Sequence, residues 1–360
     1  MTADAFTRGT DLVDGTLPQR TALENAHQLL HRARTLTTPL LREWVGELDP
    51  PLREMAEYHF GWKDVRGRSC GEERRGKGVR PALVFASAEA VGCRARRARP
   101  AAVAVELLHN FSLVHDDIID GDQFRHGRRT LWSAFDSADA TLAGDALFTL
   151  AFRVLAKTPA PRVVPTVLHL SAAAHEMAAG QARELVLQRD GASGPEQCVE
   201  AALGKTGALM GGACAVGAIA GGANEERAAH FRAFGRQLGL AFQVTDDVLG
   251  LWGDPATTGK AVGADLAVRK LSLPVAAALA SGTAAGRELG ERYASPHPPG
   301  PGDVARMTQL VEEAGGRDWA WDKTAECLRN AFEHLRDVKP APGPACHLAS
   351  LAAAACQRSA

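Results

Sequence analysis

The chain has 360 residues, 46% hydrophobic and 23% charged, which is enough apolar material to bury a substantial core. Its formal net charge is −1, so no overall field draws it to nucleic acid or to an anionic membrane. Any polyanion it binds must be held by local clusters. Seven scattered cysteines form no CxxC pair, and their odd number in a long chain argues against a secreted disulfide framework and for inert thiols.

Residues 1–20 are polar and aperiodic; they read as a mobile arm and lack the apolar stretch of a signal peptide. Residues 22–58 predict one or two helices, interrupted near Pro39 and Pro50–Pro51. A glycine- and arginine-rich loop, RGRSCGEERRGKGVRP, covers 66–81. Helices are expected over 81–92, 98–120, 139–157, 162–189, 195–221, 224–252 and 269–281. SPHPPGPG (295–302) is a loop, 303–337 reads as helical, KPAPGP (339–344) breaks it, and an alanine-rich helix closes the chain. Period-2 alternation is scarce. The fold class is therefore all-α, a helical bundle, with 21–360 as one domain. The small-apolar run GGACAVGAIAGG (211–222) is too short and glycine-rich to span a bilayer, so no membrane insertion and a cytoplasmic location are expected.

Two stretches carry the chemistry. The first is HDDIIDGDQFRHGRRT (115–130), with four carboxylates within seven residues and three arginines directly after. Asp116 and Asp120 are four apart and share a helix face, where like charges repel unless a cation neutralises them; Asp117 and Asp122 add charge nearby. Oxygen-only ligands favour Mg²⁺ or Ca²⁺ over zinc, while His115 reads as a packed helix residue. The second stretch, FQVTDDVLGLWGDPATTGKAVGADLAVRK (242–270), repeats the theme with Asp246, Asp247 and Asp254, and with Gln243 one turn earlier, suited to a metal-bound water. Both follow apolar helices, expected to face one cavity. Lys77 and Arg80 (GKGVRP), Arg125 (QFRHG), Lys205 (GKTGAL), Lys260 and Lys270 add cations that suit phosphate. Two acidic walls for Mg²⁺ and a set of loop cations describe a site for two pyrophosphates.

With these motifs in order, the chain resembles the trans-polyprenyl diphosphate synthase family from about residue 24 to its end, in particular actinobacterial geranylgeranyl diphosphate synthases. GKGVRP resembles the family's GGKRLRP, LLHNFSLVHDDIID its first aspartate-rich motif, and GQARE (180–184) its GQxxD. GKTGAL resembles the lysine–threonine motif, and FQVTDDVLGLWGD with GKAVGADLAVRK the second aspartate-rich motif and its trailing lysines. The resemblance implies an isoprenoid-synthase-type bundle around a central cavity, a homodimer and three Mg²⁺ per active site. It also implies head-to-tail condensation of isopentenyl diphosphate (IPP) with an allylic diphosphate. By position it implies that Asp116, Asp120 and Asp246 hold Mg²⁺, with Asp117 and Lys205 also in the catalytic set. Arg125, Lys205, Thr206, Gln243, Lys260 and Lys270 would hold the allylic diphosphate, and Lys77, Arg80 and His109 that of IPP.

Three departures stand out. His126 replaces the arginine that contacts IPP in the family, which makes IPP binding weaker or pH-dependent. Arg129 stands where proline is common and is expected to compensate. Gly250 replaces the last aspartate of the second motif, a change expected to be tolerated. Phe111 lies five residues before Asp116, about 7.5 Å along the axis, and with Ser112 is the expected chain-length floor, favouring the C20 product geranylgeranyl diphosphate over farnesyl diphosphate. The competing readings are a terpene cyclase that ionises a prenyl diphosphate without IPP, and a silent subunit, which the intact first cluster opposes.

Overall fold

The structure is a computed structural model that describes residues 19–71, 76–125, 127–158, 160–190, 194–254 and 262–356. In chain order the elements are α1 (Gln19–Gly46), α2 (Pro50–His59), α3 (Val79–Ala90), α4 (Arg99–Asp120), β1 (Phe124–Arg125), β2 (Arg128–Arg129), α5 (Leu131–Ala134), α6 (Ser137–Leu155) and α7 (Val163–Asp190). They continue with α8 (Pro195–Ala202), a π turn (Leu203–Gly207), α9 (Ala208–Gly221), α10 (Glu225–Trp252), α11 (Ala264–Ala267), α12 (Leu273–Leu279), α13 (Ala284–Tyr293), α14 (Pro301–Glu313), α15 (Gly316–Val338) and α16 (Pro342–Cys356). Among the described residues the only strands are the two-residue pair β1–β2, which is antiparallel. The all-α expectation holds.

Several boundaries differ from expectation, each for a physical reason. Helix α1 begins at Gln19, so the expected arm is two residues shorter than 1–20, and its remainder lies outside the described residues. The same helix runs through Pro39, whose exposed position leaves the carbonyl that loses its N–H partner on the solvent side. Pro50 instead opens α2, where a missing N–H costs nothing. The stretch 303–337 is two helices, because Gly315 adopts a left-handed φ of 83°. Helix α14 starts at Pro301, inside the expected loop, and α13 was not expected at all.

The chain divides into two compact units. One comprises His27–Ser171 and Ala213–Ala228. Its centre is the packing of α4 on α6. Val103, Leu107 and Leu108 of α4 and Leu147 and Leu150 of α6 are buried, each contributing about 1.5–3 kcal/mol relative to exposure. A second cluster joins Met55 and Tyr58 of α2 to Val114, Leu131, Ala140 and Ala143. The last turns of α4, which carry the first aspartate cluster, are thus fixed from two sides.

The other unit holds Ala172–Gly212, the chain from Ala229 onward and the residues up to Ala26. Leu251 at the end of α10 packs with Leu266, Val275, Leu289, Met307, Leu310 and Val311. Glu176 on α7 takes ion pairs from both Arg232 and Arg236 of α10, which locks these two helices together. Pro195–Gly221 is the one helical stretch among the described residues long and apolar enough to cross a membrane, but 83% of its apolar window is buried inside the protein, as in a core helix.

Candidate active site

The end of α4 sorts its carboxylates by exposure. Asp120 is exposed, Asp116 half-buried and Asp117 buried, 2% exposed. The cause is helical geometry: Asp117 lies on the core side of the turn while its neighbours lie off it. Arg125, on β1, donates from Nε and Nη2 to Asp117 Oδ1, each at 2.7 Å. Burial above all, with the nearby charges of Asp122 and Asp120, raises the Asp117 carboxyl pKa, and the bond and charge of Arg125 only partly offset that. For Arg125 the cost of burial is outweighed by the bond and charge of Asp117 with the charges of Asp122 and Asp116, so its pKa rises. Asp117 is therefore a positioning residue for Arg125. The hairpin is tied back to the helix end by Thr130 Oγ1 and Trp132 Nε1, both donating to the Asp122 carbonyl.

His126 lies outside the described residues. Arg129, the expected compensating charge, has its guanidinium on the Ser133 hydroxyl and carbonyl instead. Arg128 stacks over the Tyr58 ring at 4.5 Å and donates to the Lys63 carbonyl.

Upstream on α4 the structure brings Arg80 and His109 together: Arg80 Nη1 donates to His109 Nε2 at 3.1 Å. Burial first, and the nearby cations Arg80 and Arg125 next, push the His109 pKa well below the usual histidine value. His109 is thus a neutral ring near pH 7, so it would meet a phosphate as an N–H donor and not as a charge. Lys77 is exposed, and its carbonyl anchors Arg34. Ser112 bonds its own helix at the His109 carbonyl. Phe111 sets its ring 4.5 Å from His115 and 5.0 Å from Phe148, which meets Phe152 at 5.2 Å.

Sequence reasoning missed a polar chain here. His59 Nε2 donates to Asn110 Oδ1 at 3.0 Å, and Asn110 Nδ2 donates to the Glu106 carbonyl at 2.8 Å. Burial raises the Glu106 carboxyl pKa. The available signal was Glu106 and Asn110, one turn apart inside an otherwise apolar run. Burial lowers His59 from 6.5 to about 4, against the opposing Asn110 bond and with help from Arg125 and Arg128. Its contribution to stability is complete above pH 6.5 and is lost as pH falls toward 4, because the unfolded chain then binds the extra proton. Glu106, raised, acts in the opposite sense as pH falls. His59→Gln is therefore expected to flatten the dependence of the urea midpoint on pH between 6.5 and 4, relative to the native chain; two parallel curves would contradict this assignment.

In the other unit a second site forms around α10. Asp246 is exposed; Asp247 beside it is buried, 3% exposed. Asp247 Oδ1 accepts from Gln243 Nε2 at 3.0 Å and from Lys270 Nζ at 3.3 Å, and Oδ2 accepts from the Leu273 N–H at 3.0 Å. Thr206 Oγ1 donates to Gln243 Oε1 at 2.8 Å. Asp247, with lesser help from Asp265 and Glu184, raises the Lys270 pKa above the ordinary lysine value despite burial, so Lys270 stays charged. Lys205 is ion-paired with Glu184. Glu184, Lys205, Thr206, Gln243, Asp247 and Lys270 line a small cleft that opens to solvent. Gln243 is thus tied to Thr206 and Asp247. Lys260 lies outside the described residues.

The lysine–threonine motif occupies the π turn, a widened helical turn that re-aims its side chains. Gly180 of GQARE is pressed against the backbone of Gly204 and Lys205, where no Cβ fits. Gly250 has a similar reason: a Cβ there would lie 2.5 Å from Asp265 Oδ2. Asp265 is buried, with Oδ2 3.5 Å from Lys270 Nζ. The carboxylate that packs against this turn therefore comes from α11. Glu184 and Asp265 are further residues that sequence reasoning did not single out; the signal for Glu184 was its place at the acidic end of GQARE.

Comparison with known proteins fits this arrangement. The model of the family described as "Polyprenyl synthetase" matches residues 71–312. The chain belongs to the polyprenyl synthetase family. Like its relatives it is a prenyltransferase with the isoprenoid-synthase helical fold, of the short-chain trans-prenyl diphosphate synthase class. It is 39% identical over 356 residues to the (2E,6E)-farnesyl diphosphate synthase of Mycobacterium tuberculosis, spanning 96% of this chain and 98% of that one. It is 41% identical over 315 residues to the geranylgeranyl diphosphate synthase of the same organism, spanning 87% and 90%. A polyprenyl synthetase from Streptomyces coelicolor superposes with a TM-score of 0.87 at 42% identity, over 91% of this chain and 98% of that one. A polyprenyl synthase from Caulobacter crescentus, solved with calcium and isoprenyl diphosphate, is 27% identical with a TM-score of 0.80, over 94% and 98%.

Proposed function

We propose that this polyprenyl synthetase condenses IPP with an allylic diphosphate to give geranylgeranyl diphosphate, acting as a cytoplasmic homodimer. The observation that carries the reading is the sorting of aspartates. In both clusters a buried aspartate orients a cation, Asp117 with Arg125 and Asp247 with Lys270, while Asp120 and Asp246 are exposed and Asp116 is half-buried. An oxygen-only donor set of that kind fits Mg²⁺, which takes one or two carboxylates and completes its shell with water and substrate phosphates. Asp116 and Asp120 would hold such an ion at the first cluster and Asp246 at the second, and when bound it supplies Lewis-acid neutralisation of the leaving pyrophosphate.

The chain's own residues do the rest. Arg125, held by Asp117, presents its remaining donors to the allylic diphosphate as a fixed fork. At the second cluster Lys205, Thr206, Lys260 and Lys270 supply charge and hydrogen bonds for a diphosphate, with Gln243 aligning Thr206. Lys77, Arg80 and neutral His109 receive the IPP diphosphate. These donors favour the transition state because the leaving group gains charge as the C–O bond breaks. The apolar body of α4 keeps water from the allylic cation until the IPP double bond attacks it. No Ser or Cys nucleophile is called on; Cys198 beside the second site is pushed up to about 11 by burial and is inert.

Product length is read from Phe111. Packed between His115 and Phe148, its ring cannot swing aside freely, which suits a floor about 7.5 Å before Asp116. Farnesyl diphosphate is the second reading, favoured by the similarity to the mycobacterial enzyme of that name. Phe111→Ala is expected to shift the product distribution toward chains longer than C20, read by chromatography of the dephosphorylated alcohols. An unchanged distribution would remove Phe111 from the role of floor.

A further inference from the structure

Away from the aspartate clusters, α10 and α15 bring together three side chains that the prenyl transfer does not use. His230 lies on α10, 16 residues before Asp246, which is about 24 Å along the helix. His334 and Asp337 are three apart on α15 and so share a face. One donor atom from each of the three lies within 4.8 Å of the other two. His230 Nδ1 is already 3.5 Å from Asp337 Oδ2, and the two imidazole centroids are 5.8 Å apart. His334 and His230 are half-buried, and His334 Nδ1 is a buried nitrogen with no hydrogen-bond partner.

We propose that His230, His334 and Asp337 form a site for a borderline transition-metal cation of the Zn²⁺ class, separate from the magnesium sites. Two imidazoles and one carboxylate are a nitrogen-rich donor set, which suits Zn²⁺, Co²⁺ or Ni²⁺ and disfavours Mg²⁺ and Ca²⁺. Three protein ligands plus water complete a tetrahedral shell. At metal–ligand distances of about 2.0–2.2 Å, neighbouring donors stand about 3.4 Å apart. The His230–Asp337 pair meets that spacing as it stands. The other pairs need to close by at most about 1.5 Å, within reach of small side-chain rotations because Asp337 is exposed. A bound ion would cross-link α10, the helix that carries the second aspartate cluster, to the C-terminal end of α15.

The test uses the untagged full chain, stripped of metal and kept in excess Mg²⁺, titrated with Co²⁺ as the probe and then challenged with Zn²⁺. The expected result is one equivalent of Co²⁺ with the visible absorption of a tetrahedral site, displaced by one equivalent of Zn²⁺, and a thermal midpoint that rises by several degrees. His334→Ala and His230→Ala should each weaken binding at least tenfold. Asp337→Asn, an exposed change that leaves packing alone, should weaken it as well, with prenyl transfer in Mg²⁺ unchanged. The chain has 12 histidines and seven cysteines, so cation binding elsewhere is the obvious alternative. Titrations that are identical in the native chain and in all three variants, or no binding at all, would overturn the proposal.

Discussion

Asp116→Asn and Asp246→Asn are each expected to lower kcat/KM for IPP condensation by about 10²–10³, the usual cost of removing one preorganised group that stabilises developing charge. Each substitution keeps the size of the side chain and removes its negative charge. Neither residue is buried: Asp246 is exposed and Asp116 half-buried, so thermal stability should move little. The loss should be partly restored by raising Mg²⁺, because the weakened step is ion capture. Asp247→Asn serves as the contrast. That carboxylate accepts from Gln243, Lys270 and the Leu273 N–H, so its replacement should cost stability as well as rate. Steady-state kinetics at several Mg²⁺ concentrations, with thermal melts of all three variants, check the distinction. Activity that survives Asp116→Asn and Asp246→Asn unchanged would contradict the assignment of the metal ligands.

Asp117→Ala is expected to destabilise the protein by about 3 kcal/mol and to raise KM for the allylic diphosphate. Removing one partner of a buried ion pair leaves the other charge desolvated, which typically costs about 3–5 kcal/mol. The Arg125 side chain is 30% exposed and recovers some hydration, which places the effect at the lower end. Arg125→Met combined with Asp117→Leu should recover much of the stability and none of the substrate affinity, since a well-packed apolar pair replaces the charges. Urea unfolding of the single and double variants measures the first effect and initial rates the second. A double variant as unstable as Asp117→Ala would show that the pair is not the source of the loss.

Much of this molecule was legible in its sequence, and the particular failures are instructive. The helices around the two aspartate clusters fall where apolar periodicity puts them, within about two residues at α4 and α10. Pro39 misled because proline is a breaker only where its lost hydrogen bond is buried, and at an exposed position the helix continues. The Gly315 break inside 303–337 was hidden because a glycine in a periodic stretch reads as tolerated until its backbone conformation is known. In the candidate site, residue type and spacing pick out the carboxylates and cations proposed above. They did not tell Asp116 from Asp117 or Asp246 from Asp247, since adjacent aspartates differ only in which side of the helix meets the core. Asn110, one turn after Glu106 in an apolar run, and Glu184, at the end of GQARE, carried signals too slight to read as partners, and Asp265 carried none. Gly250 looked like a missing ligand and has a steric reason instead, the close approach of Asp265.

The most direct test incubates the purified chain and Mg²⁺ with labelled IPP and, in turn, dimethylallyl, geranyl and farnesyl diphosphate, then reads product length after dephosphorylation. Incorporation of label from each starter into a C20 product is the predicted result. No incorporation of IPP, with hydrocarbon released from geranylgeranyl diphosphate alone, would contradict it and identify a cyclase built on the same helices.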